Sequence, residues 1–171
     1  MIIWINGTFG VGKTTTAKKL VELVPEAKVF NSERIGGFLT EFLNDQFPVE
    51  NFQDWPAWRV VTGEVVAQLG GSLKAPVVVP QTVLTREYWC EIRDRMNQSQ
   101  VEYRHFVLYA GRATLEERIE NDGAEPQARE WRLDHCDRWE AAMGWLKDEA
   151  TVIDTDGVNS EEVARRILDG R

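Results

Sequence analysis

Gly7-Thr8-Phe9-Gly10-Val11-Gly12-Lys13-Thr14 fills every fixed position of the pattern GxxxxGK[ST]. Glycines let a backbone turn its N–H groups inward toward a phosphate, and a helix opening directly afterwards adds its positive partial charge. In such a cradle Lys13 reaches the β- and γ-phosphates, and the Thr14 hydroxyl ligates Mg²⁺. The residues from Gly7 to Thr14, with Thr15 after them, are therefore the expected nucleotide contacts. For Thr15, as for Thr16, helix packing and backbone satisfaction are the alternative role.

A cradle of this kind needs a buried strand ending before it and a helix opening from it. Ile2 to Ile5 form a short continuous apolar run, the mark of a strand covered on both faces. Ala17, Leu20, Val21 and Val24 then recur at helical spacing until Pro25. Beyond this unit, strand-like runs at Val29-Phe30, "APVVVP", "HFVLYA" and "TVID" alternate with helical periodicities. Two helix starts carry capping signals: Thr114 with Glu117, and Asn159 with Glu162. Strands and helices alternating throughout predict an α/β fold with a parallel sheet covered on both faces.

The 171 residues are one domain's worth, so a single soluble domain over residues 1–171 is expected. The net charge of −8 disfavours binding to a nucleic acid backbone while leaving room for a local anion pocket. Cys90 and Cys136 stand far apart with no CxxC or His/Cys cluster, which suits a reducing compartment and offers no metal site. No apolar run approaches the roughly 20 residues that cross a bilayer. The opening "MIIWI" carries no charged segment before it, and the expected location is cytoplasmic. The sequence leaves the oligomeric state open.

A phosphate cradle serves several chemistries. Guanine-nucleotide switches carry an NKxD motif, absent from this chain. Motor and AAA-type ATPases end an apolar strand in Asp or Asp-Glu, whereas the best candidate here ends in Pro80-Gln81-Thr82. A small kinase needs less: an acceptor loop, a basic lid, and a magnesium ion held largely through Thr14 and water. The lid is expected near residues 118–132. Arg118 is the first choice to face the phosphates, with Arg129 and Arg132 across the polar loop "ENDGAEPQ". Both of these latter arginines equally suit a solvated helix face.

"MIIWINGTFGVGKTTTA", "FQDWPAWR", "VVVPQTVLTREYW" and "HFVLYA" together resemble the tunicamycin-resistance ATP-binding proteins, a P-loop kinase branch near chloramphenicol phosphotransferase and the zeta-toxin-like kinases. The resemblance runs from residue 1 to about residue 157. It implies a P-loop NTPase fold of kinase type, with a five-stranded parallel sheet in the order 2-3-1-4-5. It implies ATP as donor and a nucleoside-like acceptor, tunicamycin or a UDP-sugar-like compound, whose phosphorylation gives antibiotic resistance. The alternative is an ATP-binding protein that sequesters the drug without chemistry.

By position, the resemblance puts Gln53, Trp55, Trp58 and Arg59 in the acceptor segment. There Trp55 and Trp58 stack on a planar base and Arg59 pairs with a phosphate-like oxygen. Trp58 equally suits the core. Gln81 and Thr82, past the C-terminal end of a parallel strand, stand where open α/β sheets bind ligands, with strand-end capping as the other role. The chain departs from related kinases in two places. Asn31 occupies the place of an acceptor-activating Asp, which leaves Glu33 as the nearest carboxylate for catalysis or for complementing a helix dipole. Asp122 stands where a second lid arginine is common.

Overall fold

The computed structural model describes residues 1–121 and 129–170. Asp122 and most of the expected lid loop lie outside the described residues. Parallel strands β1 (Ile2–Asn6), β2 (Lys28–Val29), β3 (Val77–Pro80), β4 (Tyr103–Tyr109) and β5 (Thr151–Asp154) form one sheet in the order β2-β3-β1-β4-β5. This is the strand order implied by the resemblance. Parallel neighbours need a crossover, and helices supply it: α1 (Lys13–Leu23), α2 (Glu33–Leu43), α3 (Pro56–Ser72), α4 (Arg86–Gln98), α5 (Arg112–Glu120), α6 (Arg129–Glu149) and α7 (Ser160–Asp169). Among the described residues no helix is long and apolar enough to cross a membrane.

β1 is central and fully buried because its side chains alternate between two cores. Ile3 and Ile5 join Ala17 and Leu20 of α1 and Val163 and Ile167 of α7 on one face. Ile2 and Trp4 join Trp58 of α3 and Trp89 and Ile92 of α4 on the other. β4 carries His105 into this second layer, where its ring lies 4.0 Å from that of Trp89. Burial pushes the imidazole down to about 3, so it packs as a neutral ring. At the edge, β2 is only two residues long, which limits the open hydrogen-bonding edge.

Of the two expected helix caps, one forms. Asn159 accepts a hydrogen bond from the Glu162 N–H at 2.9 Å and starts α7. Asn159→Ala should therefore lower stability by about 1 kcal/mol, readable as a lower midpoint in chemical denaturation. The Thr114–Glu117 box does not form, because α5 begins earlier, after Gly111. The Gly111 N–H instead donates to the Asp156 carboxylate at 2.9 Å. That bond and a bond to Thr114 hold the Asp156 carboxyl below its ordinary range.

Candidate active site

The strand–loop–helix unit places the glycine-rich loop at the C-terminal edge of the sheet, where β1 gives way to α1. All three of its glycines have positive φ, Gly7 at +151°, Gly10 at +74° and Gly12 at +98°. A side chain at Gly10 would meet Ile119 at 3.2 Å, whereas the space above Gly12 is open. Thr8 is fully buried, and its hydroxyl has no hydrogen-bond partner. The Lys13 ammonium donates to the Thr8 carbonyl at 2.8 Å. Burial pushes Lys13 down to about 7, opposed by the Glu33 carboxylate and reinforced by the Arg132 charge. Glu33 and Arg132 thus stand within electrostatic reach of the loop lysine, which sequence spacing does not reveal.

An open, left-handed turn at a helix N-terminus with a poorly solvated ammonium fits a polyphosphate. Thr14 and Thr15 are exposed, while Thr16 is buried as helix packing requires. The exposed Thr14 at the loop mouth suits a magnesium ion that keeps most of its waters.

Arginines approach the loop from the far side. The Arg118 guanidinium donates to the Gly10 carbonyl at 3.4 Å and to the Thr155 carbonyl at 3.0 Å, bridging the loop to the segment after β5. Arg132 stands 5.7 Å from the ring centroid of Phe9. The same ring packs edge-on against Trp131 at 4.8 Å and His135 at 5.5 Å, so the start of α6 rests on the loop through Phe9. Arg129 points elsewhere and pairs with Glu120 at 2.7 Å.

On the acceptor side, side chains tie neighbouring loops together. Asn31 accepts from the Glu33 N–H at 2.9 Å in the turn that leads into α2, whose N-cap is Ser32. The Ser32 hydroxyl donates to the Gln81 amide oxygen at 2.6 Å, and the Thr82 hydroxyl donates to the Gly7 carbonyl at 2.6 Å. Gln53 donates to the Thr82 carbonyl at 2.7 Å. Gln81 and Thr82 do stand at the C-terminal end of β3, but these bonds are those of strand-end capping.

Trp58 takes the core place that its helical phase also allowed, and Trp55 and Arg59 are engaged by internal partners. Trp55 and Trp58 are buried, and their indole N–H groups donate to the carbonyls of Phe47 and Ser32. Packing claims both rings, so neither presents an open stacking face. Arg59 is also buried. It pairs with Glu91 at 2.8 Å, donates to the carbonyls of Gln53 and Asp54, and lies 4.1 Å from the centre of the Tyr88 ring. It braces the turn before α3 where pairing with a ligand oxygen was expected.

Sequence reasoning passed over Asn6, Ser32, Thr155 and Asp156. Asn6 is fully buried and holds both the Gly7 N–H and the backbone of Val83. Its position directly after an apolar run was the available signal. The other three have partners remote in sequence and carry no local mark.

A family model described as an AAA domain matches residues 2–144. The sequence reading set AAA-type ATPases aside for want of a strand-terminal acid; β3 does end at Pro80, yet the family match stands. The structure of the tunicamycin resistance protein of Deinococcus radiodurans is 27% identical, with 99% of this chain and 94% of that chain covered at a TM-score of 0.74. Shikimate kinase from Acinetobacter baumannii is 18% identical, with 98% and 90% covered and a TM-score of 0.65. A gluconokinase from Sinorhizobium meliloti 1021 is 19% identical, with 98% and 89% covered and a TM-score of 0.64. These two show a shared fold. No curated protein sequence matches the chain. The resemblance read from the sequence is borne out, and the chain belongs to the AAA domain family, in the P-loop kinase-like form that the tunicamycin resistance protein also takes.

Proposed function

We propose that the protein is an ATP-dependent phosphotransferase acting on a nucleoside-like small molecule, with tunicamycin the first candidate and antibiotic resistance the consequence. The observation that carries this reading is the position of Lys13 at the mouth of an open glycine turn that leads into α1, its ammonium 2.8 Å from the Thr8 carbonyl and the space at Gly12 unobstructed. In this reading all 171 residues form one cytoplasmic kinase-like domain with a lid near residues 118–132.

Bound MgATP would supply the transferable phosphoryl group, with the metal neutralising part of the phosphate charge and Thr14 as its protein ligand. Lys13 would stabilise the charge on the transferred group, and Arg132 would add to the positive field. Arg118, tied to Gly10, would hold the loop to the segment after β5. Glu33, an exposed carboxylate on the first turn of α2, would take the proton of the acceptor hydroxyl as that oxygen gains the phosphoryl group and ADP leaves. Gln53, Gln81 and Thr82 would shape the acceptor floor through the bonds described above.

Lys13 gives the site a pH signature. Below about pH 7 the free protein already carries the ammonium; above it, binding an anion must take up a proton, because an anion beside Nζ raises its pKa. The dissociation constant for ATP should rise above pH 7, by at most about tenfold per pH unit. Calorimetry in buffers of different ionisation enthalpy should show proton uptake in that range and none well below it.

Sequestration without chemistry is a second reading, favoured by Asn31, an amide that cannot take a proton as a base, at the place of an acceptor-activating Asp. Mass spectrometry separates the two after a nucleoside and nucleoside-antibiotic panel, including tunicamycin and UDP-N-acetylglucosamine, is incubated with protein, ATP and Mg²⁺. A kinase adds one phosphate to one compound. Tight drug binding with no mass gain on any compound supports sequestration.

A further inference from the structure

The loop motif leaves position 9 open to any residue, and in this chain it holds a phenylalanine. A phenyl ring is an odd neighbour for a polyphosphate, because its π face is negative and attracts cations rather than anions. Two cations stand over this one. The Lys13 Nζ lies 5.6 Å from the ring centroid and the Arg132 guanidinium carbon 5.7 Å, both inside the reach of about 6 Å for a cation–π contact.

The ring is held in turn from the start of α6. Trp131 and His135 pack on it edge to face, with centroids at 4.8 and 5.5 Å. Their own rings lie 4.0 Å apart, and the His135 Nδ1–H donates to the Trp131 carbonyl at 2.7 Å, since a carbonyl can only accept. Phe9 therefore stands where a cation from α1 and a cation from α6 meet. The two charges repel: beside the larger effect of burial, Arg132 helps to lower the Lys13 ammonium. A carboxylate between them would relieve that repulsion, yet it would also turn a phosphate away and occupy the N–H donors that phosphate oxygens need. A ring face draws both cations without adding a formal charge.

We propose that Phe9 is a positioning residue for phosphoryl transfer, whose ring face holds Lys13 and Arg132 together at the loop mouth so that both meet the terminal phosphate of the nucleotide already in place. This role rests on the kinase reading and extends it to a residue that the loop motif leaves unspecified. Cations ordered in advance need no reordering when the anion arrives, and that saving appears as affinity and as stabilisation of the transferred group. An aliphatic side chain of similar size would fill the same space and hold neither charge.

The test changes ring electronics at nearly constant shape, by placing mono-, di- and trifluorinated phenylalanine at position 9 of the full-length protein; each step withdraws density from the π face. Calorimetry reads the affinities for MgATP and MgADP. MgATP affinity should fall stepwise with fluorination, to about three- to tenfold below wild type in the trifluorinated protein. MgADP affinity should fall less, because it lacks the terminal phosphate. Phe9→Leu, which fills the site without a π face, should lose about as much MgATP affinity, and Phe9→Tyr should recover most of that loss. A loss in Phe9→Leu with no response to fluorination overturns the inference, because packing alone then accounts for the ring. Equal losses for the two nucleotides overturn it as well, and so does an affinity that rises with fluorination. No acceptor is present in these titrations, so a failed product-mass assay would leave them standing, and their failure would leave that assay to judge the kinase.

Discussion

Lys13→Ala is expected to lower acceptor-dependent ADP release by about 10²–10³-fold, the loss typical when one preorganised electrostatic contact to a transition state is removed. The fold should survive. The ammonium's internal partner is the Thr8 carbonyl, and burial already works against its charge, so deletion removes a desolvation cost along with one hydrogen bond. The thermal midpoint should stay close to wild type. Turnover assays paired with circular dichroism melting check both halves, and a variant with wild-type turnover would overturn the assignment of the loop. The variant should also lose the rise in ATP dissociation constant above pH 7, because the group that titrates there is gone.

Asn6→Ala should have the largest effect on stability. The Asn6 side chain accepts from the Gly7 N–H at 2.8 Å and the Val83 N–H at 3.0 Å, and donates to the Val83 carbonyl at 2.8 Å, all in a fully buried setting. Truncation leaves three backbone groups without these partners, each worth about 1–3 kcal/mol when buried and unsatisfied. Partial relaxation brings the expected total to about 3–5 kcal/mol, measured as a shift in urea midpoint at unchanged m-value. Affinity for ATP should fall as well, because the same side chain fixes the first turn of the loop. A stability loss below about 1 kcal/mol would show that other groups or water take over these bonds.

How well each feature could be read in the sequence follows the range of the interactions that specify it. The loop is specified within eight residues by glycine spacing and its neighbouring strand and helix, so pattern alone finds it. The inner strands β1, β3 and β4 show as apolar runs because they are buried on both faces, whereas both residues of the edge strand β2 are exposed. Thr114 and Glu117 satisfy a local rule, yet Asp156 caps α5 from 45 residues beyond Gly111, and a window of one turn cannot register such a competitor. The internal partners of Trp55, Trp58 and Arg59 were hidden for a related reason. A tryptophan near a candidate pocket and a tryptophan in the core have the same helical phase, and only the placement of Phe47 and Ser32 around them decides. Arg59 meets its carboxylate 32 residues away, in Glu91. Asn31 reads as a missing base in the resemblance, and in the structure its side chain accepts from the Glu33 N–H just ahead of α2.

The ties that shape the loop also set the order in which it can form. Gly7 and Asn6 are held by Thr82 and Val83 across separations of 75 and 77 residues, so the turn acquires its shape only after β3 has docked beside β1. Closing so long a stretch of chain is slow compared with forming α1 locally. During refolding, helical signal should therefore recover before the ability to bind nucleotide, and a chain arrested before β3 docks would carry the complete glycine motif without a working cradle.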